Sequence, residues 1–148
     1  CLRLVGSEMC IRDRIIGRGG CHGGIYQFTN NKLYHAVKTT DSGSCWNGAV
    51  NADVQTMVSG TWYHTTMVYE VGRIKHYING VHTATSTFDK NAYAIYGYGN
   101  QLYVGGYRAG STKYVSNADI SYCKAYSKAL TPAEVKQNYV GSKGRMVT

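Results

Sequence analysis

Residues 62–86 read WYHTTMVYEVGRIKHYINGVHTATS. Over 62–70 the side chains alternate. Tyr63, Thr65, Met67 and Tyr69 share one face; Trp62, His64, Thr66 and Val68 share the other. Both faces are largely apolar or aromatic, which predicts a central strand buried on one side and partly covered on the other. Gly72 breaks the run. Residues 73–78 and 81–86 then flank Asn79-Gly80. A type I′ turn needs φ > 0 at both central positions, and Asn followed by Gly supplies it, so a hairpin is predicted here.

Residues 118–139, ADISYCKAYSKALTPAEVKQNY, carry the second decisive pattern. A last strand is expected over 119–126, with Ile120, Tyr122, Lys124 and Tyr126 alternating with Ser121, Cys123 and Ala125. Thr131-Pro132-Ala133-Glu134 is a helix start. Thr131 caps, Pro132 takes the first helical position and Glu134 closes a capping box. One short C-terminal helical turn should end near Tyr139, before Gly141.

Working outward, residues 15–18, 24–29, 32–38, 53–59 and 101–105 read as further strands. Asn30-Asn31 joins two of them, since asparagine tolerates φ > 0. Residues 19–24, 39–47 and 93–99 read as loops. About nine short strands separated by turn signals predict an all-β fold, an antiparallel β-sandwich. Composition agrees: 18 Gly and 14 Tyr among 148 residues disfavour helices and suit a pleated, half-wet surface.

The net charge is +8, but the 16 Lys and Arg are dispersed with no run of three. A diffuse positive field is read, and neither nucleic acid nor membrane is expected as a partner. No apolar run approaches the roughly 18 residues of a membrane span. The five cysteines, at 1, 10, 21, 45 and 123, form no C-x-x-C pair. Cys21 and Cys45 could pair; buried free thiols are the expected state.

Several segments resemble the laminin G-like, concanavalin A-like jelly roll of lectins and glucanases. Trp62-Tyr63-His64 and Tyr77-Ile78-Asn79-Gly80-Val81 resemble its W-H-x-V and L-Y-V-N-G strands. Leu102-Tyr103-Val104-Gly105-Gly106 resembles a later L-x-I-G-G strand. Residues 120–126 and SKALTPAEVKQNY at 127–139 resemble its closing I-D-E-V-R-I-Y strand and N-R-A-L-T-x-x-E-I segment. Ser121-Tyr122 departs from the family's Asp-Glu. The closing EVKQNYVGSKGR also resembles the ends of sandwich modules in phage virion proteins.

The start of the chain resembles something else. Cys1 stands where Met would open a frame, and CLRLVGSEMCIRDR, residues 1–14, resembles a translation of sequencing-adapter DNA found at the ends of unrelated environmental sequences. That resemblance implies an artefactual leader over 1–14, a jelly-roll domain over 15–145, and a metagenomic fragment truncated at its N-terminal side. Removing the leader lowers the net charge by one. The family's opening strand pairs near its closing strand, so residues 119–126 are expected to lack a neighbour.

Chemistry is sparser than fold. Glycosidases of this fold need two carboxylates flanking the scissile bond. Beyond the leader, Glu70, Glu134, Asp41, Asp53, Asp89 and Asp119 show no i, i+2 or i, i+4 pairing. No enzyme activity is therefore expected. The histidines match no zinc spacing, and structural roles are expected for His64, His76 and His82. The resemblance also raises calcium at a loop rim; Asp41 and Asp53 bracket a loop, but no Asp-rich string accompanies them. No cofactor is expected beyond that.

Tyrosine is the richest signal. Tyr93, Tyr96, Tyr98, Tyr103, Tyr107 and Tyr114 fall close together among Gly, Asn and Arg108. Tyrosine gives a sugar an apolar face and a hydroxyl. The expected ligand-binding residues are Trp46, Tyr96, Tyr98, Tyr107 and Arg108, on loops at one rim of the sandwich. The expected function is non-enzymatic binding of a glycan or other cell-surface ligand. The module would belong to a larger extracellular or virion-surface polypeptide, with a purely structural virion module as the alternative and a glycoside hydrolase third.

Overall fold

The structure is a computed structural model, describing residues 2–4, 12–18, 23–28, 31–38, 49–87, 102–109, 112–116 and 118–145. In chain order come β1 (Leu2–Leu4), β2 (Arg12–Arg18), β3 (Gly23–Phe28), β4 (Lys32–Lys38) and β5 (Ala49–Thr56). There follow β6 (Trp62–Tyr63), β7 (Thr65–Glu70), β8 (Arg73–Ile78) and β9 (Val81–Thr87). The last elements are β10 (Leu102–Val104), β11 (Gly106–Ala109), β12 (Thr112–Val115), β13 (Ala118–Ile120), helix α1 (Pro132–Ser142) and a 3-10 turn at Lys143–Arg145.

The strands form two layers, consistent with a jelly-roll sandwich. One is the five-stranded sheet β10-β2-β3-β4-β5. The other joins β13-β1-β6 to β7-β8-β9 through residues 62–70. All the pairings are antiparallel. The alternation of 62–70 decides what lies between the layers. Tyr63 packs inward with Ile15, Ile25, Leu33, Val54, Met57 and Ile78, and Ala118 and Ile120 pack against this cluster. The opposite face of the second layer is covered by the C-terminal segment: Val68 and Tyr77 cluster with Leu130, just before the helix, and with Val135 of α1. Fully burying each such side chain stabilises the fold by about 2 kcal/mol.

The Asn79-Gly80 hairpin forms as its φ values require, +51 and +74. It also interrupts the strand beside it. The His64 N–H donates to Asn79 Oδ1 at 2.9 Å, and the Asn79 N–H donates to the His64 carbonyl at 2.8 Å. His64 therefore separates β6 from β7, where a continuous strand is expected from sequence.

Other departures have equally local causes. The expected strand over 119–126 ends at Ile120, because its ladder partner is β1 and Leu2 lies opposite Ile120. The expectation that this strand lacks a neighbour is thus corrected: its partner is residues 2–4. Among the described residues no part of 15–145 pairs with it. With the strand ended, Cys123 is free and exposed rather than buried. The helix is longer than one turn, spanning 11 residues through Gly141. Val135 is fully buried beneath it, and the Ser142 hydroxyl donates to the Tyr139 carbonyl at 2.7 Å. Anchoring at both ends outweighs the roughly 1 kcal/mol cost of an interior glycine.

Candidate functional site

Of the expected ligand-binding residues, Trp46, Tyr96 and Tyr98 lie outside the described residues, as do Tyr93, Asp41, Asp89, Cys21, His22 and Cys45. Tyr107 and Arg108 lie in strand β11, not in a loop. Their hairpin partner is β12, with Tyr107 opposite Tyr114 and Arg108 opposite Lys113. Directly opposed residues share a face, so the register groups two tyrosine positions on one face and two cationic positions on the other. The hairpin lies against β2. Tyr103 is half-buried on β10, which pairs with β2 through Tyr103 opposite Gly17. The tyrosine-rich segment is thus partly a strand platform at the β2 side of the first layer.

Two described carboxylates, Glu70 and Glu134, are each engaged with nearby cations. Glu70 accepts from Lys75 Nζ at 2.6 Å and from Arg73. These bonds, Lys75 first, hold its carboxyl below the usual range. Glu134 accepts from Lys128 and from the Thr131 N–H at 2.8 Å, which holds it down to about 2. Asp119 is exposed on β13. Asp53 lies within β5 opposite Tyr34, not at a rim. Among the described residues, no three His, Cys, Asp or Glu side chains gather into a metal-binding group. Asp41, the other residue bracketing the loop for which calcium was raised, lies outside the described residues.

The most organised polar feature joins the two layers. His35 on β4 and His76 on β8 are both fully buried, with their Nδ1 atoms 3.0 Å apart. His35 Nε2 lies 2.7 Å from Thr65 Oγ1, and His76 Nε2 lies 3.0 Å from Ser86 Oγ. One ring donates its Nδ1–H and the other accepts. A hydroxyl serves either tautomer at the far nitrogen. All four ring nitrogens are satisfied while both rings are neutral. Burial, then the charge of His76, lowers the His35 pKa to about 3. Burial, then His82, lowers His76 to about 4. Such imidazoles have no solvent-facing nitrogen for catalysis. The structural role expected of His76 is seen, and His35 is the partner that sequence spacing did not reveal.

His64 behaves differently. It too is buried, and burial followed by nearby positive charge lowers its pKa to about 4. Its Nδ1 has no hydrogen-bond partner among the described residues. Its ring lies between Tyr122 and Tyr139, with centroids 6.2 and 5.8 Å away. Lys124 stands over Tyr122, and Lys136 and Lys143 stand over Tyr139 at 5.8 and 5.1 Å. The sequence signal was the spacing of Lys136, Tyr139 and Lys143, which places them on one helix face. The cluster holds α1 against the hairpin: a Cβ at Gly80 would meet Tyr139 at 3.0 Å.

Fold and site therefore define an antiparallel β-sandwich whose two layers are joined by the buried His35–His76 pair. Comparison with known proteins adds the family. Residues 12–136 match the laminin G family described as the concanavalin A-like lectin/glucanases superfamily. The chain belongs to that family. No curated protein matches it. Among solved structures it is similar to an S-layer domain-containing protein (residues 221-444) from Clostridium thermocellum ATCC 27405. The identity is 18%, the TM-score 0.46, and the alignment covers 79% of this chain and 55% of that one. The chain thus spans about half the length of that structure.

Proposed function

We propose that this domain is a non-enzymatic carbohydrate-binding module of a larger extracellular or surface-associated polypeptide. The observation that carries the reading is membership of the concanavalin A-like lectin/glucanase family. It combines with the engagement of Glu70 in ion pairs and of Glu134 in an ion pair and a helix cap. Hydrolysis of a glycosidic bond by two carboxylates needs them about 5 to 9 Å apart across a cleft. Binding needs only aromatic faces and hydrogen-bonding groups. The residues proposed to make contact are Trp46, Tyr96, Tyr98, Tyr107 and Arg108. The register of Tyr107 opposite Tyr114, which puts two tyrosine positions on one face, supports this reading.

A virion-surface parent is proposed on one observation, the likeness of the closing EVKQNYVGSKGR to phage virion modules. The test is a glycan array probed with the whole chain, followed by calorimetric titration of any positive glycan. Tyr98→Ala and Tyr107→Ala should each weaken binding about tenfold while leaving Tm unchanged. Unaltered affinity in both variants removes these tyrosines from the site. An empty array favours the purely structural module. Release of reducing ends from a bound polysaccharide would restore the hydrolase.

A further inference from the structure

The Lys and Arg residues are dispersed in the sequence, but the fold gathers several of them on one surface. Lys136 of α1 and Lys143 of the turn after it stand over the same ring, Tyr139, at 5.8 and 5.1 Å. Lys124 Nζ stands 5.4 Å from the centroid of Tyr122. Both rings flank the buried His64 ring. The two segments also touch directly, where the Ser121 hydroxyl donates to the Arg145 carbonyl at 3.3 Å. Lys124, Lys136, Lys143 and Arg145 are all exposed.

Among the described residues, no carboxylate lies within ion-pairing distance of Lys124, Lys136 or Lys143. Glu134, the acidic residue of α1, is taken by Lys128 and the helix cap. The positive field reaches inward: after burial, nearby positive charge, that of Lys124 included, keeps His64 neutral. Gathering like charges costs Coulomb energy, which the ring faces beneath them offset in part. A ligand that neutralises the whole surface must carry several negative charges, because Lys124 and the helix lysines stand over different rings. Ammoniums are point charges without a fork geometry, so they select for charge rather than for one kind of oxyanion. Tyr122 and Tyr139 are half-buried beneath ammoniums, so they do not offer the open stacking faces that single-stranded nucleic acid uses.

We propose that Lys124, Lys136 and Lys143 form a binding surface for an acidic polysaccharide, whose repeating carboxylate or sulfate groups pair with the ammoniums over the two rings. This rests on the carbohydrate-binding reading. It adds a ligand class and a second contact surface, made by residues other than those proposed there.

The test uses the full chain and three polymers with one glucan backbone: dextran, carboxymethyl dextran and dextran sulfate. Affinity is measured by calorimetric titration at about 0.15 M salt, where exposed charges more than about 8 Å apart are largely screened. At least one acidic polymer should bind about tenfold or more tighter than dextran, and which one binds tells carboxylate from sulfate. Lys136→Gln combined with Lys143→Gln should lose about tenfold of that affinity. Tm should be unchanged, since both side chains are exposed and glutamine suits a helix. A control that removes equal charge on β4, Lys32→Gln with Lys38→Gln, should lose less than about twofold. Lys124→Gln, outside the helix, should weaken binding in the same direction and decides the matter if the helix variant unfolds. Equal losses in the two double variants would mean a diffuse field and would overturn the proposal. Tighter binding of a single-stranded oligonucleotide of matched charge, lost in the helix variant, overturns it in favour of nucleic acid. Binding of neither acidic polymer also overturns it, and a glycan array positive for neutral sugars would still uphold the carbohydrate-binding reading.

Discussion

A buried imidazole favours the fold only while it is neutral. In the unfolded chain the histidines protonate near 6.5, whereas His35 and His76 resist protonation in the fold down to about 3 and about 4. Stability from this pair is therefore complete above pH 6.5. It is lost as pH falls from 6.5 toward the folded values, with no further loss beneath them. Urea denaturation at pH 7.5, 5.5 and 4.5 should show a steady fall in stability, and His35→Leu should flatten that slope. At pH 7.5 the same variant should cost about 1–3 kcal/mol, because His76 Nδ1 and the Thr65 hydroxyl lose their shared partner. An unchanged slope would mean that other groups set the acid response. Alternation alone does not mark His35 as inward, because its neighbour Ala36 is buried as well. The partner of His35 lies 41 residues away, and nothing in local spacing carries that information.

Elements whose causes are local were read correctly. The Thr131–Glu134 capping box closes as its spacing predicts, with the Glu134 N–H donating to Thr131 Oγ1 at 3.3 Å and the Thr131 N–H donating to the carboxylate. Thr131→Ala should lower stability by about 1 kcal/mol in thermal denaturation. Because Glu134 stays ionised down to about 2, the cap should persist well below pH 4.5 and fail as pH falls through 2. Elements whose causes are distant were misread. The last strand stops opposite the start of β1, and the β11–β12 hairpin was hidden in Gly- and Tyr-rich sequence without an Asn-Gly signal. One glycine tests sheet packing directly. Gly24 has φ +152, and a Cβ there would lie 2.3 Å from the Ile16 carbonyl oxygen on β2. Gly24→Ala should therefore force β2 and β3 apart and cost more than about 2 kcal/mol, measured by urea denaturation.

At the scale of the whole molecule, the two layers and their family were legible in sequence because turn chemistry and alternation repeat along most of the chain. The proposed ligand-binding residues were less legible. A tyrosine can line a core, a strand face or a ligand groove, and composition does not choose among them. Tyr103 shows the ambiguity: it belongs to the tyrosine-rich segment, though not to the expected ligand residues, and is half-buried on β10. The pairing of Tyr107 with Tyr114 shows how a hairpin arranges such residues in register. The most direct test of carbohydrate recognition is electrophoresis of the native protein through gels containing candidate polysaccharides. The unaltered chain should be retarded by at least one polysaccharide. A variant combining Trp46→Ala, Tyr98→Ala and Tyr107→Ala should run at its polysaccharide-free mobility. Equal retardation of both proteins, or none of either across the panel, would contradict binding through these residues.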